Sequence, residues 1–493
     1  MNVRRNWSIF WSLWVLANTN PALAGQAPVS LASPDIAISH RDRVYTAEQF
    51  SNTVSVTDPA SGELLGVIRL GTFQPGNFSP LYTGQLLVHG MGYSPDHKTL
   101  AVVSIGSNSV TFIDTASNKV KQVTYVGRSP HEAFYTPDGA ELWVTVRGED
   151  YVSVIDSATF QEKLRITVPN GPGMQIFSPD GSYGYICSSF TPETVVVTVM
   201  DHRIVGHVPQ ASPFCSNIAA SPDGRQVWFT LKDVGKVQVF DARPPFTILR
   251  TLDTGPITNH VNFAHTAAGT FAYVTVGALN EVKVYRTDTF EQTATIPVGA
   301  LPHGIWPSGD GTRIYVGLEN GDALTAIDTS TNKVVSTSPI GRAPQAIAYV
   351  PNAVPDGDGK EGLDPLGVAG EVTHLALRMK VGTHGYAKNA EPTSISLFDQ
   401  GLTQILEASA SGLKPKATYV LALSEKPDGS APLQVLSGFT TNPAGSAIVH
   451  AVGPIRQIVR GTHAAARRFL VIAVGTPEHI GAVVQVQAKT GLH

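Results

Sequence analysis

The chain has two cysteines, Cys187 and Cys215, in 493 residues. Two are too few for a disulfide framework, so the core must be held by buried apolar area. Charge is also scarce: charged residues are 15% of the chain, with 35 Lys and Arg against 39 Asp and Glu. That balance argues against a chain built to grip nucleic acid, which would need a basic face, while leaving room for a local patch. No haem-attachment motif, phosphate-binding P-loop or G-x-S-x-G nucleophile elbow occurs, which removes support for tethered haem, nucleotide chemistry and serine hydrolysis. Beyond the N-terminus no apolar run reaches the roughly 18 residues that a membrane-spanning helix needs.

What is present begins with a basic start, "MNVRR", then apolar "WSIFWSLWVLA", then small residues at Ala22 and Ala24 before Gly25. This is the pattern of a secretory signal peptide over residues 1–24, and it predicts export to the periplasm or outside the cell.

Turn signals then recur: "YSPDHKTLAVVSIG", "YTPDGAELWVTVRG", "FSPDGSYGYICSS" and "ASPDGRQVWFTLK", with weaker copies "HTAAGTFAYVTVG" and "PSGDGTRIYVGL". Each is followed by an alternating strand, a polar turn and further strands. Alternation rich in β-branched residues predicts short antiparallel strands. Four strands in a unit of about forty residues is a β-propeller blade. Six such units are complete. A seventh inner strand, "APQAIAYVPNA" at 343–353, has no outer strands after it, while 43–71 has outer strands with no inner strand before it. The two ends are therefore expected to complete one blade, which removes a free sheet edge. The fold class expected is all-β, a seven-bladed propeller over 33–352. "FAYVTV", "ELWVTV", "SNTVSVTD", "SNSVTFID" and "DYVSVID" resemble the YVTN-type repeats of secreted bacterial propellers. The resemblance implies this fold, but that family hosts unrelated activities and implies none in particular.

One position repeats with chemistry. Five residues before each turn stand His89, His131, Gly173, Ser216, His260, His303 and Gln345, spaced by 42, 42, 43, 44, 43 and 42 residues. With 15 histidines in the chain, composition alone would place about 0.2 at seven positions. The position opens the innermost strand, so the ring should stand at one mouth of the central channel. Loops on the same face carry Glu48, Arg147, Glu149, Lys232 and Glu319. The link from Gly71 to His89 is longer than its counterparts and could cover the mouth.

A histidine there can simply bond backbone groups between blades. Alternatively, His89, His131, His260 and His303 can hold a divalent metal, with copper or zinc best suited to neutral imidazoles. Comparison with the streptogramin lyase type of propeller implies a different use, with His131, Glu132, Arg147 and Glu149 as candidate catalytic groups. Glu48, Arg147, Lys232, Glu319 and Gln345 are candidate contacts for a protein or small-molecule ligand on the channel face. The functions weighed are an exported binding or scaffold protein, a metal-dependent lyase or hydrolase, and a redox partner or copper or zinc carrier.

Residues 353–370, rich in Pro, Gly and Asp, read as a linker. "DGDGKEGLD" within them lacks the acidic spacing of an EF-hand loop. Residues 371–493 read as a small antiparallel β-sandwich of immunoglobulin or fibronectin type. They contain no cysteine, which excludes a cupredoxin-like copper centre there. Cys187 and Cys215 fall in adjacent blades, and adjacency alone does not bring Cα atoms to the required ~4.4–6.8 Å. Two free thiols are therefore expected.

Overall fold

The computed structural model describes residues 37–71, 86–367, 372–380, 391–399, 404–455, 459 and 467–488. The expected signal peptide and the long link at 72–85 lie outside the described residues.

Seven four-stranded antiparallel sheets form the propeller. The inner strands of blades 1 to 7 are Pro344–Val350, Val88–Tyr93, Pro130–Tyr135, Pro172–Phe177, Cys215–Ala220, Thr258–Thr266 and Pro302–Pro307. Blade 1 is built from both ends of the propeller sequence. Pro344–Val350 pairs antiparallel with Arg43–Glu48, Val350 opposite Arg43 and Ala346 opposite Ala47.

The repeated residues have repeated tasks. In the turns that follow the inner strands the hydroxyl two residues before the Asp donates to its carboxylate: Ser94 to Asp96 at 2.6 Å, Thr136 to Asp138 at 2.6 Å, Ser221 to Asp223 at 2.6 Å and Ser308 to Asp310 at 2.7 Å. Each Asp then accepts a backbone N–H two residues on, which is the Asx geometry that favours this residue in turns. The threonine near the end of the second strand points across to the next blade in blades 3, 5 and 6. Thr145 donates to the Gly173 carbonyl at 2.9 Å, Thr230 to Asn259 at 2.6 Å and Thr275 to His303 at 2.8 Å. These bonds satisfy carbonyls that the innermost strands cannot pair within their own sheets. Between blades the contact is apolar, as where Trp143 meets Phe177 at 4.9 Å and Trp228 meets Phe263 at 5.9 Å.

The two cysteines are not free. Cys187, on the second strand of blade 4, and Cys215, which opens blade 5, form a disulfide with Cα atoms 6.0 Å apart. The second strand of blade 4 packs against the inner strand of blade 5, and this packing brings the pair into bonding range, which counting along the sequence could not reveal.

The segment after blade 1 is a strap rather than a free linker. Val67 and Asp364 exchange two backbone bonds of 2.8 and 2.9 Å. Asn118 donates to the carbonyls of Gly359 and Glu361, and Arg43 to that of Asp358. Ala353 and Val354 are buried.

The second domain is one eight-stranded antiparallel sheet. Its order is Leu433–Thr440, Thr418–Ser424, Phe469–Thr476, His479–Gln487, Thr373–Met379, Thr393–Asp399, Gln404–Ala410 and Ala447–Gly453. The first and last of these approach each other, so the expected antiparallel sandwich is one sheet curled into a nearly closed barrel. Leu377, Ile395, Leu406, Leu421 and Ile472 fill it.

Candidate functional site at the channel mouth

The four hub histidines meet. The His131 and His89 ring centroids are 4.3 Å apart, His89 and His303 6.2 Å, and His303 and His260 4.8 Å. The imidazoles thus form one connected arc, the pair from blades 3 and 2 meeting the pair from blades 7 and 6 past blade 1. The other ring positions differ for visible reasons. A Cβ on Gly173 would lie 2.3 Å from the Ser189 hydroxyl, so blade 4 has no room for a side chain. Ser216 spends its hydroxyl on the Thr258 and Asn259 carbonyls at 3.1 and 2.9 Å. Gln345 donates to the Ala343 carbonyl at 3.2 Å and bonds the Glu319 carboxylate.

Only one of these imidazoles has an ionic partner among the described residues. His303 Nδ1–H donates to Glu319 Oε2 at 2.8 Å. Burial opposes the charge of Glu319, but His303, Lys232 and Gln345 outweigh it and hold the carboxyl well below its usual range. His89 Nδ1, His131 Nδ1 and His260 Nε2 are buried without a hydrogen-bond partner. Burial, reinforced by His303 and Arg147, lowers His89 to about 3. Burial likewise holds His131 and His260 well below the usual imidazole range, with their histidine neighbours adding to it. All three are therefore neutral near pH 7, with one N–H donor and one acceptor each. Among the described residues no group of three or more His, Cys, Asp or Glu is arranged to hold a metal ion.

Two cations stand beside the arc. Arg147 follows the second strand of blade 3, and its guanidinium lies 5.6 Å from the Phe190 ring and 5.0 Å from the Phe214 ring. Burial lowers it to about 10, which still leaves it charged at neutral pH. Lys232 follows the second strand of blade 5 and is lowered by burial, with Glu319 and Glu407 acting against that. Both side chains keep part of their surface open although protein surrounds them, as expected for residues lining a recess. Arg147 and Lys232 both act electrostatically on His89, which places them at one site.

The remaining candidates separate from this group. Glu132 lines the channel below the arc, where it accepts the N–H groups of Met91 and Ala133, and burial pushes it up to about 8. Glu48 turns into blade 1, accepting from Thr53 Oγ1 at 2.7 Å and from the Ser55 N–H at 3.1 Å. Glu149 pairs with Arg128 at 3.4 Å, away from the arc. Below the histidines Met91, Phe134, Met174 and Trp306 line a cavity of about 20 Å³.

The barrel covers the mouth. The Ala444 N–H donates to the Asp233 carbonyl at 3.1 Å, and His374 bonds Asp322 at 3.0 Å. Asn320 bonds Ser394 and Ser396 at 2.9 and 3.1 Å. Phe398 packs on Phe50 at 4.2 Å, and Ile448 on Ile257, Ala278 and Leu301. These contacts fall on blades 1, 5, 6 and 7. From the barrel, Glu407 enters the field of Lys232 and Glu319. Burial raises its pKa, and a bond of 2.9 Å from His450 works against this. Its Oε1 is buried without a partner. Sequence reasoning missed Glu407. The only signal was an ionisable residue in the apolar strand "QILEASA", and nothing in the sequence placed that strand over the channel.

No protein-family model matches the chain, and no curated protein is similar to it. Among solved structures it is similar to a protein of unknown function from Desulfotomaculum acetoxidans, with 16% identity over 62% of this chain and 98% of that one and a TM-score of 0.53. It is also similar to hydrazine synthase from Kuenenia stuttgartiensis, with 21% identity, 58% and 92% coverage and a TM-score of 0.47. At its identity the first likeness speaks for the fold alone.

Proposed function

We propose that this chain is an exported binding protein, a propeller of the YVTN repeat type whose roofed channel mouth holds a small ligand. The observation that carries this is the meeting of four imidazoles, Arg147 and Lys232 under a second domain that adds Glu407. A scaffold needing only rigidity has no use for so many unpaired polar atoms at a covered hub, since each costs about 1–3 kcal/mol when left unsatisfied. Export is supported by the N-terminal pattern and by the Cys187–Cys215 disulfide, a bond that persists in oxidising compartments. Native mass spectrometry of the full chain, recovered from the exported fraction without a His-tag, tests both halves. The expected result is a mature protein cleaved near Gly25 carrying a bound small molecule. Recovery of uncleaved protein only in the cytosolic fraction refutes export, and a mass equal to the bare chain counts against the ligand.

A bound copper or zinc ion is the second reading, favoured by the contiguity of His131, His89, His303 and His260. Three or four donors would have to converge to about 2.0–2.1 Å, which requires ring rotations from the present arrangement. A metal-dependent lyase or hydrolase, or a metal carrier, depends on the same ion. Elemental analysis and a titration of apo-protein with each metal at pH 7.5 test it, and no uptake of either rules these readings out together.

A further inference from the structure

The histidines do not account for the two cations. Arg147 keeps its charge at neutral pH, its Nε is buried without a partner, and no hydrogen bond or ion pair to its guanidinium is found among the described residues. Phe190 and Phe214 satisfy the faces of the guanidinium plane through cation–π contact, but the N–H donors lie in the plane and that contact leaves them open. Lys232 makes no salt bridge among the described residues, although Glu319 and Glu407 both act on it through space. Glu319 is committed to His303 and Gln345, and Glu407 to His450. Two cations face one ionised carboxylate, Glu319, in this recess; Arg147 is left without a counter-ion, which is unfavourable for a partly enclosed charge, so the recess is complementary to an anion. Arginine's fork matches a carboxylate in bidentate fashion, and lysine adds a point charge. Phe190 is 52% exposed, a large apolar surface at the rim beside Arg147.

We propose that the channel mouth binds a small organic carboxylate, its anionic group held by Arg147 and Lys232 with N–H groups of the hub histidines, and its apolar body against Phe190 and Phe214. This rests on the reading of the mouth as a ligand site and names the ligand's chemical class. The barrel's contacts fall on blades 1, 5, 6 and 7, whereas Arg147 and the two phenylalanines belong to the loops of blades 3, 4 and 5, so the anionic site lies at the edge of the roof.

Calorimetric titration of the full chain with benzoate, and with benzamide as its neutral counterpart, tests the proposal. Benzoate is expected to bind one per chain and benzamide about tenfold or more weakly, since a charge-assisted bond is lost. Arg147→Met and Lys232→Met should each weaken benzoate by a similar factor, while Arg128→Ala, an exposed arginine on the same face, should leave it unchanged. Thermal melts establish that each variant is folded. If Arg147→Met does not fold, the benzoate and benzamide comparison and Lys232→Met decide. Equal binding of the two probes, or undiminished benzoate binding by folded variants, overturns the carboxylate assignment and leaves a neutral-ligand site standing. Binding of neither probe overturns the assignment, and a bare-chain mass in the native spectrum would then remove the ligand site as well.

Discussion

Glu48 is a carboxyl on the expected loop that ends up serving the blade instead of the mouth. It is fully buried and accepts from Thr53 and Ser55. Burial raises it to about 8 despite those bonds, from an ordinary value of 4.5. In the unfolded chain it ionises near 4.5, whereas in the folded chain it keeps its proton to about 8. Between those values the folded state binds the extra proton, so the contribution of Glu48 to stability falls as pH rises through that window. Glu48→Gln should remove this fall. Denaturant melts at pH 5 and at pH 8.5 should show the variant gaining on the parent at the higher pH, and a constant gap would mean that Glu48 is ionised in the fold. Thr145 makes the opposite kind of contribution, a neutral bond from blade 3 to the Gly173 carbonyl of blade 4. Thr145→Val keeps the shape and strands that carbonyl, and should cost about 1–3 kcal/mol, read as a lower denaturant midpoint with an unchanged slope.

At the scale of the element, the blades were legible because their physics is local. Pro-Asp turns, strand alternation and the orphan strand at 344–350 are written within single repeats, and the ring closure they imply is found. The arc of histidines was legible for the same reason, since equivalent register places side chains at equivalent depth. What depends on how far neighbouring blades converge was not legible. Cys187 and Cys215 are 28 positions apart, and only the packing of the second strand of blade 4 on the inner strand of blade 5 brings them into bonding range. The bond closes a loop within the chain, for which the loop-entropy model gives about 3–4 kcal/mol. Replacing both cysteines by alanine should lower stability by that order in chemical denaturation. Thiol titration of the unfolded, unreduced parent should find none, and two reactive thiols would contradict the bond. Glu48 and Glu149 left the site for a related reason: loop position fixes which face a residue stands on, but not whether its side chain turns to the axis or into its own blade.

For the whole molecule, the consequential arrangement is a barrel seated on a propeller, something no motif in either part announces. The seat is mostly polar: backbone to Asp233, His374 to Asp322, and Asn320 to two serines. Its apolar part is small and includes Ile448, which packs on Ile257, Ala278 and Leu301 and not within the barrel core. Interfaces of this polarity between domains of one chain permit relative motion, while the strap at Asp364 keeps the barrel tethered to blade 1. Ile448→Asp should therefore unseat the barrel without unfolding it. The charge would face three buried aliphatic residues at a cost of about 2–4 kcal/mol, comparable with the seat itself. Small-angle scattering should show a larger radius of gyration for the variant, and melting should separate into two transitions. If Glu407 belongs to the ligand site, the variant should also lose affinity for whatever the mouth holds, although Arg147 and Lys232 remain in place. Unchanged scattering would mean that the polar contacts alone hold the roof. Unchanged affinity in an unseated variant would assign the ligand to the propeller half and leave Glu407 as a residue of the barrel's own packing.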